Sequence, residues 1–108
     1  MTATGGDLVG KVATALGHPL RVRFIDALRD GSARSPVEVA DRRGRPIGTI
    51  GHHARVLEDL GVVVLVDTRA VRGAIEHVYS LEGPTAPAVL AALDMIRATE
   101  DRMTAESR

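Results

Sequence analysis

The stretch from Ser35 to Val66, SPVEVADRRGRPIGTIGHHARVLEDLGVVVLV, constrains this chain more than any other. It opens on Ser35-Pro36-Val37-Glu38, a capping box: serine at the N-cap, proline in the first helical position, and a glutamate that reaches back to the N-cap amide. The helix begun there is short, burying Val39 and Ala40 and breaking at Gly44. Pro46 then opens a longer helix that runs to Leu60, with Gly61 as its C-cap. Ile50, Ala54 and Leu57 recur at i, i+4, i+7 on its inner side. Gly48, His52, Arg55 and Asp59 form the opposite stripe, flanked by Thr49 and Gly51. Val62 to Val66, β-branched and apolar between Gly61 and Asp67, reads as a strand. Such a helix, turn and helix unit is built to present side chains to something outside the domain. The best candidate is the major groove of DNA, which is wide enough for one helix.

The flanking sequence completes a fold that is mainly α with a small β-hairpin. Leu8, Val12 and Leu16 recur at i, i+4, i+8 in a first helix ending at Gly17. Pro19 starts a second helix that turns Leu20, Phe24, Ile25 and Leu28 inward and stops near Asp30-Gly31. A second strand spans Ala74 to Ser80, and the intervening DTRAVRG reads as a hairpin loop carrying Arg69 and Arg72. Gly83-Pro84 breaks the chain, Thr85 can cap a last helix, and Val89, Leu90, Leu93, Ile96 and Met103 lie along one side of it. The expected division is a disordered tail over 1–7, one domain over 8–102 and a C-terminal tail over 103–108. The order is α1-α2-α3-α4-β1-β2-α5, that of a winged helix-turn-helix.

Composition narrows the function classes. A chain of 108 residues holds one core and no roomy catalytic cleft beside it. With one Phe, one Tyr and no Trp, that core is aliphatic, and a core so small often gains stability by pairing with a second copy. The absence of cysteine excludes disulfides and thiolate metal sites. No signal peptide and no apolar run approaching about 18 residues is present, so a soluble cytoplasmic protein is expected. The net charge is formally zero, against the basic balance expected of a nucleic-acid binder. Its distribution is uneven, however. Between Ser32 and Arg55 five arginines (34, 42, 43, 45 and 55) face only Glu38 and Asp41, whereas acids outnumber arginines after Glu82. Because 13 of the 14 basic residues are Arg, which a GC-rich genome alone can produce, the clustering carries the argument and the Arg excess does not.

Three motifs in order resemble the ArsR-like family of bacterial repressors. LGHPLRVRFIDAL (16–28) resembles its opening signature, GTIGHHARVLEDLGVV (48–63) its recognition-helix signature, and RGAIEHVYSL (72–81) the wing strand that follows. The likeness covers about residues 8–102. It implies a winged helix-turn-helix regulator, a homodimer on a palindromic DNA operator, and a dimer interface of Leu8, Val12, Leu16, Val89, Leu93 and Ile96. The alternative for that last set is that the stripe simply closes the monomer core. The departures matter as well. Where arsenic-type sensors carry a cysteine pair this chain has Val37 and Val39, and the zinc-type last helix has no counterpart because residues 82–108 contain no His. Metal sensing therefore does not transfer, no cofactor is expected, and any small-molecule effector stays unidentified.

Candidate DNA-binding residues are Arg45, Gly48, Thr49, Gly51, His52, Arg55, Arg69 and Arg72. Arg55 can pair with a guanine or hold a phosphate, Thr49 can donate to phosphate or touch a thymine methyl, and His52 can donate to either. Gly48 and Gly51 each cost roughly 1 kcal/mol against alanine inside a helix. They fit close approach to DNA or packing against a neighbouring helix, and they thin the reading face, so recognition leans on phosphates and DNA shape. Arg69 and Arg72 suit a wing along the adjacent groove, although a charged loop tip is ordinary.

His52 and His53 point about 100° apart and cannot chelate one ion together. His53 reads as a hydrogen-bonded structural histidine, His18 as a cap or packing residue, and His77 as packed against the domain. The histidines lack a nucleophile-base-orienter set, and no enzyme is expected. A winged-helix protein-interaction module is the competing reading, motivated by neutral charge and the two glycines.

Overall fold

In the computed structural model, which describes residues 4–40 and 47–107, the order of elements is the expected one: α1 (Thr4–Leu16), α2 (Pro19–Leu28), α3 (Pro36–Val39), α4 (Ile47–Asp59), β1 (Val64–Val71), β2 (Ala74–Ser80) and α5 (Ala86–Glu106). Arg42, Arg43, Gly44, Arg45, Pro46 and Asp41 lie outside the described residues. Two ends differ from the sequence reading. α1 begins at Thr4, inside the expected tail, and α5 continues to Glu106, four residues past the expected domain end.

The core is aliphatic around one aromatic pair. Phe24, Ile25 and Leu28 of α2 meet Ile50, Ala54 and Leu57 of α4, with Val62, Val63, Val89 and Leu93 closing the cluster. Phe24 and Tyr79 pack edge to face at 6.1 Å between ring centroids. α5 lies across α1 and is held to α2 by two bidentate pairs, Arg29 with Asp94 at 2.8 Å and Arg97 with Asp26 at 2.7 and 3.0 Å. The Arg29 guanidinium keeps the Asp94 carboxyl below the usual carboxylate range. Both pairs are solvent-exposed, so they orient α5 more than they stabilise it.

Val62 and Val63 are not strand residues. α4 ends in a Schellman motif: Gly61 takes φ +75°, its N–H donates to Glu58 O, and Val62 N–H donates to Leu57 O. Val62 then packs on the core as the hydrophobic partner that accompanies this cap, and β1 starts two residues later. The Thr85 hydroxyl, expected to cap α5, instead donates to Leu60 O at 2.8 Å and satisfies a carbonyl at the end of α4. Gly83 passes so close to this corner that a Cβ would stand 2.0 Å from Gly61 O, which excludes any side chain there.

The wing is longer and tighter than a DTRAVRG loop. β1 runs through Val71 and pairs antiparallel with β2, from Val64 opposite Ser80 to Val71 opposite Ala74, with a bulge between Leu65 and Asp67. Only Arg72 and Gly73 remain as the turn, both at positive φ (51° and 80°), which is a type I′ hairpin. Arg34, in the loop before α3, bridges the outer edge of β2 at Tyr79 through paired backbone bonds of 2.9 Å.

Candidate nucleic-acid interface

The capping box forms as the sequence requires. Ser35 Oγ accepts from Glu38 N–H, and Glu38 Oε1 accepts from Ser35 N–H at 2.9 Å. The same two side chains reach the wing: Ser35 Oγ donates to Glu76 Oε1 at 2.7 Å, and Arg69 Nη2 donates to Glu38 Oε1 at 2.7 Å. Arg69 and Glu76 are cross-strand partners, so the four residues close a ring that sets the wing against the helix-turn-helix. The bond from Ser35 N–H, with help from Arg69, holds the Glu38 carboxyl below its ordinary range. The expectation for Arg69 is thereby corrected. It stands mid-strand, not at a loop tip, and its guanidinium is engaged by Glu38.

α4 presents the two faces its spacing predicts. Ile50, Ala54 and Leu57 are buried, while Thr49, His52, Arg55 and Asp59 face solvent. Gly51 lies beside them, and a Cβ there would meet nothing within 4 Å, so helix packing is not what this glycine serves. Gly48 falls in the first turn of α4. Among the described residues no hydrogen bond or ion pair ties Arg55. Arg72 occupies the hairpin tip, and its exposed side chain projects from a left-handed backbone.

The histidines divide by burial. His18 caps α2, its Nδ1 accepting from Leu20 N–H at 3.1 Å. His53 is buried, 4.1 Å from the His18 ring, and its Nδ1 lies 3.3 Å from Arg21 Nη1. A guanidinium only donates, so that nitrogen accepts and the imidazole is held neutral. Burial first, then the nearby His18, Arg21 and His52, push the His53 pKa down. His77, expected to pack on the domain, is exposed instead and lines a groove between α4 and β2. Among the described residues no group of three His, Cys, Asp or Glu is placed to hold a metal ion.

The apolar surface of α1 and α5 also departs from the expected interface. Val89 and Leu93 are consumed by the monomer core. Leu8, Val12, Leu16 and Ile96 instead line an open groove with Val9, Ala13, Ala88 and Ala92. Val9, outside the i, i+4, i+8 stripe of α1, is 70% exposed. No described helix is long and apolar enough to cross a membrane.

A helix-turn-helix domain family matches residues 16–66, from the last residue of α1 into the first residues of β1. The chain has a winged helix-turn-helix fold and resembles ArsR-family regulators. Solved structures agree with it over nearly the full length. A homodimeric winged helix-turn-helix DNA-binding domain from Mycobacterium bovis, described as a possible ArsR-family transcriptional regulator, superposes with TM-score 0.64 at 20% identity, covering 91% of this chain and 85% of that one. The transcriptional repressor BigR from Xylella fastidiosa gives TM-score 0.59 at 25% identity, covering 89% and 96%. A regulator of the MarR family from Enterococcus faecalis gives TM-score 0.71 at 13% identity, covering 99% and 93%. No curated protein matches this chain in sequence.

Proposed function

We propose that the chain is a dimeric, sequence-specific DNA-binding transcriptional repressor. One observation carries the reading: the exposed face of α4 holds Thr49, His52 and Arg55, with Arg72 projecting from a wing that the Ser35–Glu76 and Glu38–Arg69 bonds fix beside it. In this reading α4 enters the major groove, where Arg55 reaches a guanine edge or a phosphate, and the wing lies along the flanking backbone. Gly51 lets the start of the helix approach closely, and by sequence Gly48 and Arg45 are the further candidate contacts. Arg69 takes the role of a strut that holds the wing.

Pairing of two copies is supported by the apolar groove of Leu8, Val9, Val12, Leu16 and Ile96, and by the homodimeric Mycobacterium bovis relative. Repression is supported by the likeness to BigR, and a palindromic operator follows from two-fold pairing. The neutral net charge favours a protein-interaction module as the second reading.

Arg55→Ala separates the two. Arg55 is exposed and outside the core, so thermal stability should be unchanged, while operator affinity in a gel-shift titration falls by about 1–3 kcal/mol, roughly five- to 150-fold. Unchanged affinity, or no DNA affinity that weakens with added salt, rejects the DNA reading.

A further inference from the structure

Between α4 and β2 lies a groove of about 410 Å³, within the range of small-molecule sites. Its walls are of two kinds. Val37 of α3 and Ile75 of β2 line it and are 47% and 67% exposed, apolar surface that contacts to phosphates do not use. Arg55, His52 and His77 line it as well, supplying one fixed positive charge and two imidazoles able to donate N–H bonds. The one carboxylate in the wall, Glu76, accepts from the Ser35 hydroxyl at 2.7 Å, leaving Arg55 as the one guanidinium of the lining to meet an incoming anion. The space left by Gly51 opens into the same groove.

We propose that this groove binds a small amphipathic anion, an aromatic or short acyl carboxylate, whose apolar body rests between Val37 and Ile75 and whose carboxylate meets Arg55, His52 and His77. Such a ligand occupies the surface that the DNA backbone needs and withdraws Arg55 from the operator. It therefore acts as an inducer by direct competition, a consequence that rests on the DNA reading above. The binding itself does not.

The probe is 2-naphthoate, with the neutral 2-naphthamide as control, followed by NMR of the histidine ring signals in the full chain without DNA. Titration with 2-naphthoate should shift His52 and His77 while leaving buried His53 nearly still, and the amide should bind at least tenfold more weakly. Arg55→Ala should reduce naphthoate affinity at least tenfold. Gly51→Leu, whose side chain grows into open space on a helix, should abolish binding with the helical circular dichroism retained. No shift at His52 and His77 up to millimolar naphthoate overturns the proposal, as does equal binding of acid and amide, or unchanged affinity in a folded Gly51→Leu. A competition gel shift then reads the regulatory consequence. Naphthoate that binds the free protein without displacing DNA overturns the inducer role alone, and DNA binding without naphthoate binding leaves the repressor reading standing.

Discussion

Arg72 is the one described non-glycine residue at positive φ, and it sits at the first turn position of a type I′ hairpin, where asparagine or glycine is the relaxed choice. Holding an arginine in the left-handed region costs about 1–2 kcal/mol. Strain kept at an exposed tip points to a use for the side chain. Arg72→Asn should therefore raise the melting temperature by several degrees while lowering DNA affinity and flattening its salt dependence. A variant that gains stability with no loss of affinity removes Arg72 from the interface. His53 makes a different prediction. Its folded pKa lies below the ordinary value of 6.5, so the unfolded chain takes the proton first. Its contribution is complete above about pH 6.5 and is lost as pH falls toward the depressed folded pKa. The groups closest to it, His18, Arg21 and His52, are all basic, so none repays that proton. Urea unfolding at pH 7.5 and 5.5 should show a stability loss on acidification that His53→Gln reduces. The perturbed carboxyls Asp30, Glu38 and Asp94 are all shifted downward and stay ionised across that window.

The local signals were legible and the distant ones were not. The Ser35 capping box and the Gly61 cap are each written within six residues, and both form. The two faces of α4 follow from its 3.6-residue period in the same way. The hairpin's extent is hidden in the sequence because Asp67, Thr68 and Arg69 are polar and the turn is Arg-Gly, lacking the Asn-Gly signal; only the pairing with β2 reveals them as strand. Nothing local marks Arg69 as a partner of Glu38, 31 residues away. Periodicity also shows that α5 has an apolar side without saying which neighbour covers it, and so it does not separate Val89 and Leu93, which the core holds, from the residues left at the surface. The Ser35 network yields a test. Ser35 is fully buried, and Ser35→Ala removes both the α3 cap and the donor to Glu76. It should cost about 1–2 kcal/mol in urea unfolding and speed amide exchange in β2, with Ser35→Thr restoring most of both. A loss confined to α3, with β2 exchange unchanged, contradicts the coupling of cap and wing.

The assembled protein joins two surfaces on opposite duties. Core burial leaves α4 and the wing facing outward, and it leaves the α1–α5 groove uncovered for the proposed second copy. Two recognition helices related by a two-fold axis sit about 34 Å apart on successive major-groove faces, a spacing that an unpaired domain cannot enforce. Selecting bound sequences from random double-stranded DNA tests that arrangement most directly. The account predicts an enriched palindrome with half-sites about 10 base pairs apart, centre to centre, that Arg55→Ala no longer selects. Enrichment of a lone half-site without symmetry, or of no sequence at all, would contradict it.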